Sequence, residues 1–160
     1  MPRPTLRALF FLLALLAAAI SPPALAEMDG WRVLKTQHSY ADLVSRLEQA
    51  VTGNKMGVVA RASATVGAKN MLDKDIPGNM VIGVFRPDFA VRMLEASVSA
   101  GIEAPIRFYV TENSDGTADL SYKTPSFVFA PYSDGGETLK SLAAELDEIF
   151  ARIAADAAGG

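Results

Sequence analysis

The sequence predicts an α+β domain: a mainly antiparallel sheet with helices packed on one face, in the order β-α-β-(α)-β-α-β-β-α. Three observations carry this expectation. Ile106, Phe108 and Val110 alternate with Arg107, Tyr109 and Thr111. After the turn residues Asn113-Ser114-Asp115-Gly116, Ala118, Leu120 and Tyr122 alternate with Asp119, Ser121 and Lys123. Two alternating runs around such a turn are the mark of an antiparallel hairpin with one apolar face. Apolar residues also recur at helical spacing in two places, Leu43, Val44, Leu47, Ala50 and Val51, and later Leu139, Leu142, Leu146, Ile149, Phe150 and Ile153. Finally, Met80–Phe85 is an unbroken apolar run of strand length, the pattern of a central strand covered on both faces.

Residues 1–26 are read separately. Arg3 and Arg7 precede an apolar run from Ala8 to Ile20, Ser21-Pro22-Pro23 interrupts it, and Ala24-Leu25-Ala26 presents small side chains at both positions of an A-x-A site. This is the layout of a secretory signal peptide cut after Ala26. A helix over the apolar run would reach only about 20 Å, short of the roughly 30 Å hydrocarbon core, so a cleaved leader is favoured over an anchor. No Cys follows the run to carry a lipid. The mature chain then begins at Glu27 and works in the periplasm or outside the cell.

Within that chain the elements follow in order. Trp31–Lys35 predicts a first strand. Ser39-Tyr40-Ala41-Asp42 resembles a capping start for the first helix, and Gly53 stands where a left-handed C-cap is wanted. Gly57–Val66 is rich in small and β-branched residues and suits a strand, and Gly67–Asp73 a short helix or turn before Pro77-Gly78. Pro87 pre-sets φ at the first turn of another helix, with Ala90, Met93, Leu94 and Val98 as its apolar stripe and Gly101 as its end. After the hairpin, Thr124–Pro131 reads as a proline-bracketed loop holding Phe127 and Phe129. Asp134-Gly135-Gly136-Glu137 opens the last helix. The domain is expected to span residues 27–153, with Ala154–Gly160 as a flexible Ala/Gly tail.

Composition narrows the function. Removing Arg3 and Arg7 leaves 13 basic against 18 acidic residues and moves the formal charge from −3 to −5. A mildly acidic chain without a basic run is a poor partner for nucleic acid, whose phosphates call for clustered Lys and Arg. No second apolar stretch approaches membrane-spanning length. The absence of cysteine excludes a disulfide framework, a thiol nucleophile and a thiolate metal site.

Several motifs fall in a telling order. Val81-Ile82-Gly83-Val84-Phe85-Arg86-Pro87 with Ala90 is followed by Ala104-Pro105-Ile106-Arg107-Phe108-Tyr109-Val110, then Asp115-Gly116 and Thr124-Pro125. The series, with the Ser-Tyr helix and Met-Gly-Val strand before it, resembles the bacterial family catalogued as domain of unknown function 302, over roughly Trp31 to Ile153. The resemblance implies a compact α+β fold, commonly dimeric, with no established reaction. The family usually carries Asn before the proline of its second helix, where this chain has Arg86. A cation beside a helix N-terminus is electrostatically awkward unless an anion also lies there.

The chemistry-bearing candidates are few. Arg86, Arg107, Tyr109 and Lys123 could line an anion site, and parity places Arg107, Tyr109 and Lys123 on one hairpin face with Tyr122 on the other. Phe127, Phe129 and Tyr132 could cap a small apolar pocket. His38, the only histidine, is expected as a solvated loop residue just before a helix cap. The methionines that survive cleavage are scattered and suit core filling better than a copper site. No phosphate loop, nucleophile elbow or metal-ligand spacing occurs, so no catalytic residue, metal or cofactor is assigned. The expectation is a non-catalytic module for a small ligand or a periplasmic protein, with a second copy in a homodimer as a further candidate partner. An enzyme using Arg and Tyr for acid-base or anion-stabilising chemistry is the alternative, and a copper or redox accessory protein a third reading.

Overall fold

Ser39 ends the first strand and starts the first helix, its hydroxyl accepting from the Asp42 N–H at 3.3 Å. The computed structural model describes residues 28–159, so the leader and its cut after Ala26 lie outside the described residues. Strands β1 (Trp31–Ser39), β2 (Gly57–Ala62), β3 (Asn79–Phe85), β4 (Ile106–Glu112) and β5 (Thr117–Lys123) form one sheet ordered β1-β5-β4-β3-β2. Every neighbouring pair is antiparallel, as the hairpin pattern predicts. Helices α1 (Tyr40–Gly53), α2 (Ala64–Leu72), α3 (Pro87–Ala96), α4 (Pro125–Phe129) and α5 (Gly136–Ala158) complete the α+β fold.

Alternation decides which sheet face is covered. Ile82, Val84, Phe108, Val110, Leu120 and Tyr122 point to one side and are buried. Against them lie Leu43, Leu47 and Val51 of α1, and Leu139, Leu142, Phe150 and Ile153 of α5. At the centre, Phe108 stacks on Phe150 with ring centroids 4.6 Å apart and planes at 14°, and Tyr122 tilts against both. Removing this apolar area from water drives the two layers together. No residue of α2 is buried.

Local chemistry moved several boundaries. The second strand stops at Ala62, because the Ser63 hydroxyl accepts from Val66 N–H and starts α2 at Ala64 rather than Gly67. Gly53 stays inside α1, and the positive φ falls at Lys55 (φ 59°). Helix α3 ends at Ala96, so Val98 is not part of its buried stripe but 78% exposed. There Ser97 turns extended, and its hydroxyl accepts from Ala100 N–H to begin a short 3-10 turn, Ser99–Glu103. The proline-bracketed loop contains α4, capped by Thr124. Strand β3 is fully buried on one face only; on the other Val81 is half-buried and α2 meets the strand at Asn79.

The expected flexible tail is the largest correction. Helix α5 runs to Ala158, and Ala154 and Ala157 are almost fully buried. Alanine is the best helix former, and its small side chain permits close approach to α1. Arg46 Nε donates to Ala157 O at 2.9 Å and Asn54 Nδ2 to Asp156 Oδ2 at 2.8 Å, tying the two helices together. His38 likewise is no loop residue: it lies in β1, with Nδ1 3.0 Å from Asp42 Oδ2.

Candidate functional site

The sheet face away from the core helices is built in rows. Register sets Trp31 against Lys123, Val33 against Ser121, and Lys35 against Asp119. Tyr109 pairs with Ser121, and continuing that register brings Arg107 beside Lys123. Arg107 in turn faces Gly83, and Tyr109 faces Val81, which pairs with Ala62. One row across the face therefore reads Trp31, Lys123, Arg107, Gly83, Ala60. The next reads Val33, Ser121, Tyr109, Val81, Ala62.

Trp31, Lys123 and Arg107 of the first row and Ser121, Tyr109, Val81 and Ala62 of the second floor a cleft of about 760 Å³, bordered by Ser63 and Ala64 at the start of α2 and by Val128 of α4. Ala62 on β2 is the small residue of the floor. Beside the cleft Gly83 is buried against Pro105, since a β-carbon on it would lie 2.8 Å from the Pro105 ring and 3.1 Å from Ala60 Cβ. Ser121 is almost fully buried on this face, and its hydroxyl donates to Tyr109 O at 3.4 Å.

Two cations side by side dominate the electrostatics. The Arg107 side chain is 60% exposed, and its nearest carboxylate oxygen, on Glu103, stands 3.8 Å away. That Glu103 is anchored from the other side by the Tyr132 hydroxyl, which donates to it at 2.7 Å, a bond that raises the Tyr132 phenol above its usual range. Lys123 has no ion pair among the described residues, and its ammonium stands 5.7 Å from the centroids of both Trp31 and Phe127. Like charges directly opposite on a sheet repel, so an anion placed between them is favoured. The indole N–H of Trp31 is buried with no hydrogen-bond partner among the described residues.

At the far end the polar groups are spent. Asn79 Oδ1 accepts from Ala64 N–H, and its Nδ2 donates to Thr65 Oγ1 and Pro77 O. Burial raises the Tyr40 phenol, with a hydrogen bond to Ser63 opposing it. The Tyr40 ring lies against Gly78, where a β-carbon would clash at 2.7 Å.

The seven candidate residues separate. Arg107, Tyr109 and Lys123 share the cleft, and Phe127 flanks it through Lys123. Phe129 is 4% exposed and packs in the core, while Tyr132 serves Glu103. Arg86 sits on the helix side of the sheet, where it borders a narrow apolar gap of about 30 Å³ between Met56, Met93 and Phe150. Its guanidinium grips Asp88 at 2.7 and 3.1 Å and covers the Phe89 ring at 4.2 Å. Asp88 is thus the anion that the helix start required, and Arg86 holds its carboxyl below the usual range. Sequence reading missed Trp31, Val81, Ala62 and Ser121. Strand parity could have supplied Ser121, but the others needed the pairing partners of β1 and β2.

Among the described residues, no three or more His, Cys, Asp or Glu side chains group to hold a metal ion, and no helix is long and apolar enough to cross a membrane. The family model described as domain of unknown function DUF302 matches residues 32–157. Among solved structures, the fold is similar to an uncharacterized conserved protein DUF302 from Bacillus stearothermophilus. The TM-score is 0.71 at 18% identity, covering 82% of this chain and 99% of that one. No curated protein matches the sequence.

Proposed function

This chain belongs to the family described as domain of unknown function DUF302, and we propose that it is a non-catalytic binding module whose open sheet face holds a small anion. The observation that carries the proposal is the placement of Arg107 beside Lys123 over a cleft of about 760 Å³, within the usual size range of small-molecule sites. Lys123 has no carboxylate partner among the described residues, and Arg107 has only Glu103, at 3.8 Å. No nucleophile–base pair adjoins them there, which is why the reading is of binding and not of turnover.

Two further parts of the proposal rest on other grounds. The basic start, short apolar run and A-x-A site of residues 1–26 support export and release of a chain beginning at Glu27. Self-association is supported by apolar side chains left in solvent at the β2 edge and on α2, namely Val59, Val66, Met71 and Leu72.

Native mass spectrometry of protein recovered from the periplasm tests all three. The expected species starts at Glu27, has twice the protomer mass and carries a small anion that is absent from an Arg107→Ala, Lys123→Ala double variant. An Arg86→Ala variant keeps the ligand, since Arg86 lies beyond the sheet. A ligand-free protein, or a bound species that survives the double substitution, would overturn the binding reading. Retention of residues 1–26 would overturn export, and a monomer mass at all concentrations would overturn self-association.

A further inference from the structure

We infer that the ligand is an amphipathic carboxylate, a single negative head on Arg107 and Lys123 with an apolar body lying along Tyr109, Val81 and Ala62. This rests on the anion-binding reading above and adds the chemical class. The head group follows from the charge count. Arg107 and Lys123 bring two positive charges, and the Glu103 carboxylate, 3.8 Å from Arg107, returns one negative. A net charge of about +1 matches a monoanion, whereas a phosphate dianion would crowd Glu103. The guanidinium fork also fits the two oxygens of a carboxylate, and Glu103 stands too far away to use it fully.

The body follows from what lies beyond the cations. Rows two residues apart along a strand are separated by roughly 6.5 Å, so the Ser121–Tyr109–Val81–Ala62 row meets the first several carbons of a bound chain. Val81, the small Ala62 and the Tyr109 ring offer apolar surface there, and Ala64 continues it. Beyond the Tyr109 hydroxyl, a second polar group at the far end would find little to bind. The Asn79 amide is fully engaged, and the Ser63 hydroxyl already accepts from Val66 N–H. A polar tail would therefore lose its water without replacement, while a hydrocarbon tail gains by leaving water.

Trp31, the only tryptophan, stands in the cleft wall beside Lys123, so its fluorescence reports occupancy directly. The full mature chain is titrated with hexanoate, octanoate and decanoate, with acetate and inorganic phosphate as heads without tails, and with decyltrimethylammonium as the tail with opposite charge. The expected result is affinity rising between about two- and fourfold per added methylene. Arg107→Gln or Lys123→Met, both surface changes whose folding circular dichroism verifies, should each weaken decanoate by roughly tenfold. The cation should not bind.

The failures differ. If acetate and phosphate bind as tightly as decanoate and respond to the same substitutions, the amphipathic class is overturned and the anion site stands. If decyltrimethylammonium binds as well as decanoate, or if no anion perturbs Trp31, the anion site falls and this inference with it.

Discussion

The ring of Phe127 occupies the space that a β-carbon on Gly30 would need, with its nearest carbon 2.1 Å from that position. Gly30 also has φ +70°, and its carbonyl accepts from Thr124 N–H at 2.8 Å. The start of β1 and the start of α4 are thereby held together, and Trp31, Lys123 and Phe127 meet at that junction. Gly30→Ala combines a left-handed backbone with a steric clash and should cost about 2–3 kcal/mol of stability, read from a urea midpoint. The same substitution should shift the emission of Trp31. An unchanged midpoint would show that the junction yields freely.

Phe150 fills the centre between the two layers, fully buried and stacked on Phe108. Phe150→Ala leaves a cavity that neither the sheet nor α1 closes without strain. The expected loss is about 3–5 kcal/mol in denaturant unfolding. A loss below about 1 kcal/mol would mean that the stack contributes little.

Asp134 couples stability to pH. The Ser97 hydroxyl donates to its carboxylate at 2.7 Å and, with Ser99 adding to the effect against some burial, holds the carboxyl below the usual range. A carboxyl with a depressed folded-state pKa stabilises above its unfolded pKa, and that contribution fades as pH falls through the folded value. Asp134→Asn should therefore be less stable than the parent at neutral pH and lose most of that difference at about pH 2. Urea midpoints at the two pH values check it, and a gap independent of pH would contradict it.

The last turns of α5 act as structure. A chain ending at Ile153 exposes the surface that Ala154 and Ala157 cover and deprives Arg46 and Asn54 of their acceptors on α5. About 1–2 kcal/mol should be lost, lowering the thermal midpoint by several degrees. An unaltered midpoint would restore the picture of a loose tail.

Much of the site was legible in part. Strand parity alone puts Arg107, Tyr109 and Lys123 on one face, because side chains alternate along a regular strand and no bulge interrupts the β4–β5 pairing. Parity is silent about neighbours beyond the hairpin. That Trp31 stands against Lys123, and Val81 against Tyr109, depends on β1 and β3 joining opposite edges of the hairpin, contacts between residues far apart in the chain. Arg86 misled for a related reason. Its position before Pro87 marked a helix start correctly, but only the fold shows which side of the sheet that start occupies and that Asp88 serves as its anion.

By itself, the sequence determined the α+β class, the antiparallel hairpin, the amphipathic faces of α1 and α5, and the serine cap of α1. Periodicity and capping act over one to four residues, so these features are written locally. The tertiary structure decided the strand order β1-β5-β4-β3-β2, the burial of Ala154 and Ala157, and the grouping of two cations with Trp31 and Val81 over an uncovered sheet face. Those depend on which surfaces meet when apolar area is removed from water, and that is a property of the whole chain.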